Sequence, residues 1–389
     1  MKAKDRRLQE LKADIEEVTP EQAKALQDQG AALLDVRETD EVAQGSPANA
    51  IRLGRGFLEL RVEDMVPDLN TPVLVMCAGG TRSLFAADTL QRMGYKNVKS
   101  VAGGFSRWKN KGLDFETPRM LNEEERKRYA RHLTLPEVGE AGQVKLMESK
   151  VLLIGAGGLG SPSALYLAAA GVGTLGIVDH DVVDKSNLQR QILHTEARVD
   201  VPKVESAREA IESLNSSVKV KSYQTHINSS NIEDIIGEYD VVVDGSDNLP
   251  TRYLLNDACV KHNIPNVHAA VYRFEGQITV FWPGYKKRPG PCYRCLFPER
   301  PDPSLAPSCS EVGILGVLPG LFGLLQAVET LKVLLDLGDP LVGRTLYYDA
   351  LNQQFTEFKQ KPNPNCRYCS GKEPFPGYED YAEVCAAPS

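Results

Sequence analysis

The chain has 389 residues, 42% of them hydrophobic and 25% charged, with a formal net charge of −7 at pH 7. That length exceeds one ordinary core and suggests two domains. The acidic balance argues against a nucleic-acid partner, which would want a basic face. Met1 to Lys12 is charged rather than apolar, so no secretory signal is expected and the anticipated location is cytoplasmic.

A first unit is expected over 13–118. It opens with a helix at Pro20–Gln29 and a buried strand at Ala32–Arg37. A second buried strand, Val73–Met76, runs directly into Cys77-Ala78-Gly79-Gly80-Thr81-Arg82-Ser83, and a helix over Leu84–Met93 follows. Strands alternating with helices imply a parallel sheet whose site lies at the carboxyl ends of its strands, where Cys77 falls. Consecutive backbone N–H groups capped by a helix N-terminus form an anion nest that favours a thiolate, and Arg82 adds a fixed charge.

With Asp35-Val36-Arg37-Glu38 and Gly103-Gly104-Phe105-Ser106-Arg107-Trp108, this unit resembles a rhodanese domain. The resemblance implies that Cys77 carries sulfur as a persulfide. Tyrosine phosphatases use a related cradle, but the four residues between Cys77 and Arg82 make the shorter loop that favours sulfur over phosphate. A buried structural cysteine is the plainer alternative. Two features depart from the rhodanese pattern: Ala78 stands where Arg is common, and the turn Gly45–Ala50 lacks the usual His-Ile-Pro-Gly-Ala sequence.

Pro118 and the charged Asn122–Lys127 stretch lead into the second unit, 119–389, through a helix capped by Asn122. Val151 to Val178 contains no charged residue, which meets the length criterion for a membrane span. Seven glycines and one proline, in the order strand, Gly-rich turn, helix, strand, make it a buried βαβ unit instead. A helix is expected at Lys203–Leu214, with strands at Lys219–Tyr223, Asp240–Val243, Pro265–Ala269 and Gly276–Trp282. The uncharged run Val312–Val328 is expected to be a buried helix near a subunit contact. No membrane partner is expected.

Gly155-Ala156-Gly157-Gly158-Leu159-Gly160 closes the strand Val151–Ile154, and Asp179 closes the next. Such glycines let backbone N–H groups and a helix N-terminus approach phosphates, while an acidic residue about 20 positions on can hold ribose hydroxyls. This much fits a dinucleotide-binding dehydrogenase equally well. Arg190, Lys203 and Asp247 point further, because a triphosphate being cleaved needs added positive charge and a carboxylate for metal.

Together with Arg128-Tyr129-Ala130-Arg131-His132, Ser186-Asn187-Leu188-Gln189-Arg190 and Ser246-Asp247-Asn248, the run from about Leu121 to Tyr368 resembles the MoeB/ThiF family of ubiquitin-activating-like adenylyltransferases. The implied fold is α/β and Rossmann-like. The resemblance implies an ATP site drawn from Gly155, Gly157, Gly158, Asp179, Ser186, Asn187, Gln189, Arg190, Lys203, Asp247 and Asn248. In it Asp179 holds the ribose, Arg190 and Lys203 the triphosphate, and Asp247 a Mg²⁺ ion. Arg131 would reach the γ-phosphate of a neighbouring subunit, implying a homodimer. The substrate would be a β-grasp sulfur-carrier protein ending in Gly-Gly. Its terminal glycine would be adenylated and then converted to a thiocarboxylate with sulfur from Cys77, supplied by a cysteine desulfurase or thiosulfate. The alternatives are adenylation alone, with the first unit acting elsewhere, and a first unit that only docks a partner.

Eight cysteines in such a chain are better metal ligands or reactive thiols than disulfides. Cys292-Tyr293-Arg294-Cys295 and Cys366-Arg367-Tyr368-Cys369 are two Cys-x-x-Cys pairs, each able to clip one edge of a tetrahedral Zn²⁺. A redox dithiol is the alternative for either pair alone. Cys309, in the Pro-rich loop Ala306–Glu311, is a candidate nucleophile for thiolation by family resemblance; a lone loop cysteine can equally be inert. Cys259 is expected in the core and His268 is expected to be a satisfied sheet histidine rather than a catalytic one.

Overall fold

The computed structural model describes residues 2–117, 119–299 and 313–379. The chain divides into two compact units, Met1–Met120 and Leu121–Ser389.

In the first unit five parallel strands lie in the order Glu17–Val18, Val98–Val101, Val73–Met76, Ala32–Asp35, Ile51–Arg52. The unbroken apolar run Val73–Met76 takes the centre, where every side chain is buried. The helix Pro20–Asp28 starts where expected, with Thr19 and Gln22 forming a capping box and Pro20 in the first turn. A helix ahead of residue 13, Ala3–Asp14, also belongs to this unit: Leu11 joins the core and Arg7 reaches Asp88 at 3.1 Å. The strand expected to reach Arg37 stops at Asp35 because Arg37 turns back onto the Asp35 carboxylate, with contacts of 2.9 and 2.5 Å. The helix after Cys77 runs Thr81–Arg92, beginning three residues before the expected Leu84. Gly80, at φ +90°, makes the sharp turn that brings its N-terminus to the cysteine loop.

The second unit is built on eight strands in the order Lys219–Tyr223, Thr174–Val178, Lys150–Ile154, Val241–Asp244, Asn266–Tyr272, Glu275–Phe281, Arg344–Asp349, Gln354–Lys359. The first five are mutually parallel and the last three antiparallel. Lys150–Ile154 therefore lies between the strand that follows it by a helical crossover and Val241–Asp244, a switch point where ligands bind beyond the strand ends. Asn122 caps Glu123–Arg128 through a reciprocal box with Glu125.

The long apolar helix spans Val317–Leu335 rather than ending at Val328. Charge does not terminate it, because Glu329 is buried and satisfied by Lys332 at 2.6 Å and by the Leu341 N–H at 2.7 Å. Its length and composition would also suit a membrane span, yet Leu318, Phe322, Ala327 and Leu334 join the sheet's core. Its buried Gln326 amide donates to the carbonyls of Asp244 (2.7 Å) and Val267 (2.9 Å), locking the helix against the strand ends that carry the site.

Candidate active sites

A cavity of about 440 Å³ opens at the carboxyl ends of the second unit's parallel strands. The glycine loop forms one wall. Gly155 has φ +91°, and a Cβ on Gly160 would sit 1.9 Å from the Gly155 carbonyl oxygen, so only glycine lets the helix Gly160–Ala170 start so close to the loop. Asp179 accepts from the Ala156 N–H (2.8 Å) and the Asp181 N–H (2.9 Å), which fixes its carboxylate beside the loop. Lys203 is buried and bonded to Asp181 at 2.7 Å. Burial would raise the Asp181 carboxyl, but Lys203, and then His180 and His226, hold it below its ordinary value. His180 and His226 stack with centroids 3.4 Å apart.

Arg190 and Asp247 differ from that pair. The Arg190 guanidinium makes only a 3.4 Å contact with the Ser186 carbonyl, and exposed Asp247 has no hydrogen bond or ion pair among the described residues. A cation and a carboxylate lining one cavity with no ion-pair partner among the described residues suit a polyphosphate and its divalent counter-ion. Asp179, His180 and Asp181 also converge, but backbone N–H groups and Lys203 already engage the two carboxylates.

Of the residues expected at a nucleotide, Gly155, Gly157, Gly158, Asp179, Ser186, Gln189, Arg190, Lys203, Asp247 and Asn248 line the cavity. Asn187 does not, its amide instead donating to Ser186 Oγ at 3.1 Å. Arg131 is exposed on the short helix Ala130–Leu133 and is not among the lining residues. Arg252 lines the cavity unforeseen. Its Nη2 donates to the Ser246 carbonyl at 3.0 Å, while its buried Nε has no partner among the described residues. His268 accords with expectation: it is buried, at 2.7 Å from Asp244, whose other oxygen accepts from Ser246. Burial, the largest single influence, would raise the Asp244 carboxyl, but His268, Arg252 and Ser246 together hold it below its ordinary value.

In the first unit Cys77 is buried; its sulfur accepts the Gly80 N–H at 3.1 Å and its thiol donates to Ser83 Oγ at 3.5 Å. The Gly103–Gly104 turn closes on this loop from behind, the Phe105 and Ser106 N–H groups donating to the Cys77 and Ala78 carbonyls at 2.8 and 3.0 Å. A Cβ on Gly104 would lie 2.1 Å from the Cys77 oxygen. Arg82 is engaged by Glu41 through both guanidinium nitrogens, at 2.6 and 2.5 Å.

The four sulfurs of Cys292, Cys295, Cys366 and Cys369 lie within 4.8 Å of one another, with separations of 3.8, 3.6 and 3.4 Å along the edges Cys292–Cys295, Cys292–Cys366 and Cys295–Cys369. Thiolates about 2.3 Å from a tetrahedral Zn²⁺ would stand ~3.8 Å apart, so the residues fit a closed structural zinc site. Arg294, inside the first pair, is buried on Asp257 (2.7 and 2.8 Å) and sandwiched between the rings of Tyr253 and Tyr368, the latter inside the second pair. Buried Cys259 joins the core as expected, its thiol raised by burial. Cys309 lies outside the described residues.

A model described as the ThiF family matches residues 129–368, more than half of the chain. The chain belongs to the ThiF family. Ahead of the ThiF region, residues 19–111 match a rhodanese-like domain, so an N-terminal rhodanese-like unit precedes it. The ThiF region is similar to a SAMP-activating enzyme E1 of Haloferax volcanii, 49% identical over 67% of this chain and 94% of that protein. It is also similar to a sulfur carrier protein adenylyltransferase of Thermus thermophilus, 47% identical over 67% and 97% of the two chains. An adenylyltransferase and sulfurtransferase MOCS3 of Anopheles gambiae is 45% identical, over 68% of this chain but only 59% of that protein. Among solved structures, the E. coli MccB complex with ATP aligns with a TM-score of 0.54 at 23% identity, covering 64% of this chain and 75% of that one, a likeness of fold.

Nothing in the local sequence marks Asp181 or Arg252 as part of the ThiF cavity. The partner that identifies Asp181, Lys203, lies 22 residues away, and Arg252 would be legible only as the residue one turn beyond the Asn248 helix cap.

Proposed function

We propose that the second unit uses ATP to adenylate the C-terminal glycine of a small Gly-Gly-ended β-grasp sulfur carrier, and that Cys77 then supplies the sulfur. The observation that carries this is the cavity itself: a glycine-walled site lined by Arg190 and Asp247, neither of which has an ion-pair partner among the described residues. The activities for which the relatives from Thermus and Anopheles are named, sulfur carrier protein adenylyltransferase and adenylyltransferase and sulfurtransferase, agree with it.

The carrier's carboxylate is already a nucleophile at neutral pH, so the protein's task is in-line positioning and neutralisation of charge on the departing pyrophosphate. Asp179 would hold the ribose, the glycine loop the phosphates, and Arg190 and Lys203 the leaving group. Lys203 would do so after exchanging part of its bond to Asp181. Asp247 would hold Mg²⁺, which when bound neutralises developing phosphate charge. Arg131 would enter from the second subunit of a homodimer.

In the second half-reaction the terminal sulfur of a Cys77 persulfide attacks the acyl-adenylate, forming an acyl-disulfide and releasing AMP. A thiolate, Cys309 in this reading, attacks the Cys77 sulfur and frees the thiocarboxylate, and the Cys77–Cys309 disulfide is returned by a thiol reductant. Adenylation is tested by carrier-dependent exchange of pyrophosphate into ATP. Asp247→Ala and Arg190→Ala should each lower it by about 10²-fold or more, as loss of one transition-state charge commonly does. Unaltered exchange in both variants refutes the assignment.

A further inference from the structure

The cation of the Cys77 cradle is already spent. Arg82 and Glu41 meet fork to fork, at 2.6 and 2.5 Å, with side chains 39% and 31% exposed. Glu41 is itself held in place, its Oε2 accepting from the Glu38 N–H at 3.2 Å and its carbonyl from Arg37 at 3.3 Å. The hydrogen-bonded pair with Glu41 is the chief cause holding the Arg82 guanidinium above its ordinary value, against burial; Arg82 sits in the first turn of the helix that begins directly after the Cys77 loop. The same pair, against burial, holds the Glu41 carboxyl low, so it stays ionised near neutral pH.

Neighbouring cations do not replace Arg82. Arg37 is consumed by Asp35 and the Gly45 carbonyl, and Arg55 by Glu59 and Thr89. Arg107, beside Gly103, is exposed and screened by solvent. Position 78 is Ala. The cradle thus offers the Gly80 N–H to sulfur, with the Ser83 oxygen beside it, but little net positive charge to a dianion.

Resting on the assignment of Cys77 as sulfur acceptor, we propose that Glu41 is a specificity-determining residue. By holding Arg82 in a neutral pair, it turns the cradle from thiosulfate toward the persulfide of a thiol donor. In the favoured step the Cys77 thiolate attacks the outer sulfur of a donor persulfide. One S–S bond forms on Cys77, the donor's S–S bond breaks, and the donor leaves as a thiolate, so no outside oxidant or reductant is needed. With thiosulfate the same attack would expel sulfite, but the incoming ion brings two negative charges to a pair of zero net charge.

The test measures Cys77 persulfide formation by intact mass in the full chain, with thiosulfate and with cysteine persulfide, for wild type, Glu41→Gln and Glu41→Asp. Unmasking one positive charge near a dianion should raise the thiosulfate-to-cysteine-persulfide ratio of kcat/KM about tenfold in Glu41→Gln, chiefly through the thiosulfate KM. That gain should collapse at about 1 M salt, where the screening length is ~3 Å. Glu41→Asp, which keeps the charge, should retain the wild-type preference. If Glu41→Gln folds poorly, Glu41→Ala serves the same comparison. An unchanged ratio, or one insensitive to salt, overturns the proposal. If wild type forms no persulfide from either donor, the assignment of Cys77 fails first and takes the proposal with it.

Discussion

His194 shows how one buried side chain ties pH to the nucleotide site. Its Nε2 lies 2.9 Å from the Ala156 carbonyl in the glycine loop and its Nδ1 2.9 Å from Ser206 Oγ. A carbonyl only accepts, so Nε2 carries the proton and Nδ1 accepts from the hydroxyl. Burial is the chief cause lowering the His194 pKa, helped by the Lys203 charge and opposed by the Ala156 bond. The folded value lies below the unfolded value of about 6.5, so stability is complete above pH ~6.5 and is lost as pH falls from there toward the folded value. A series of melting temperatures should decline below pH ~6.5, and less steeply in His194→Gln, which cannot be protonated. Parallel profiles would remove His194 as a cause. Asp247, Arg190 and Lys203 were legible in the sequence because their residue types recur in motifs. His194, Asp181, Arg252 and Glu41 were not, because each takes its meaning from a partner or cavity that only folding supplies.

At the scale of elements, the expected strands matched the observed ones to within three residues, the strand expected at Pro265–Ala269 running on to Tyr272, and ends drifted where side chains overrode periodicity. Arg37 ended a strand by turning back on Asp35, and buried Glu329 let a helix continue through charge. Both sites also depend on loops pressed against neighbouring backbone. Gly104, at φ +55°, and Gly160 would place a Cβ 2.1 and 1.9 Å from carbonyl oxygens of Cys77 and Gly155. Neither backbone can yield as a side chain could, so Gly104→Ala and Gly160→Ala should each destabilise their own unit by about 1–3 kcal/mol or more. Denaturant titration can check this, with Gly56→Ala, which meets nothing within 4 Å, as the control. If both crowded variants matched that control, the close approaches would not constrain the loops.

Across the whole molecule, the two half-reactions are assigned to separate compact units, so losing one should spare the other. Cys77→Ala should abolish persulfide and thiocarboxylate formation yet leave pyrophosphate exchange within about twofold, measured on one preparation; parallel loss would contradict the division of labour. The four cysteines were legible as two pairs, but not that Arg294 would link them. From within the first pair Arg294 lies on Asp257 and stacks on Tyr368 of the second, so the distant tail closes over a buried charge. A zinc ion held here would contribute directly to folding free energy, because the unfolded chain offers no comparable site. Freshly purified protein should hold one zinc per chain by elemental analysis, and Cys292→Ser or Cys366→Ser should release it. Arg294→Met should keep the thiolates, and therefore the metal, but leave Asp257 buried without its cation, at a cost of about 3–5 kcal/mol. Burial is already the chief cause raising the Asp257 carboxyl, with Arg294 opposing it. The loss should therefore ease as acid protonates Asp257, narrowing the gap to wild type at low pH. Zinc-free wild type would refute the site, and a gap between Arg294→Met and wild type that does not narrow in acid would show that Asp257 is not the group left unpaired.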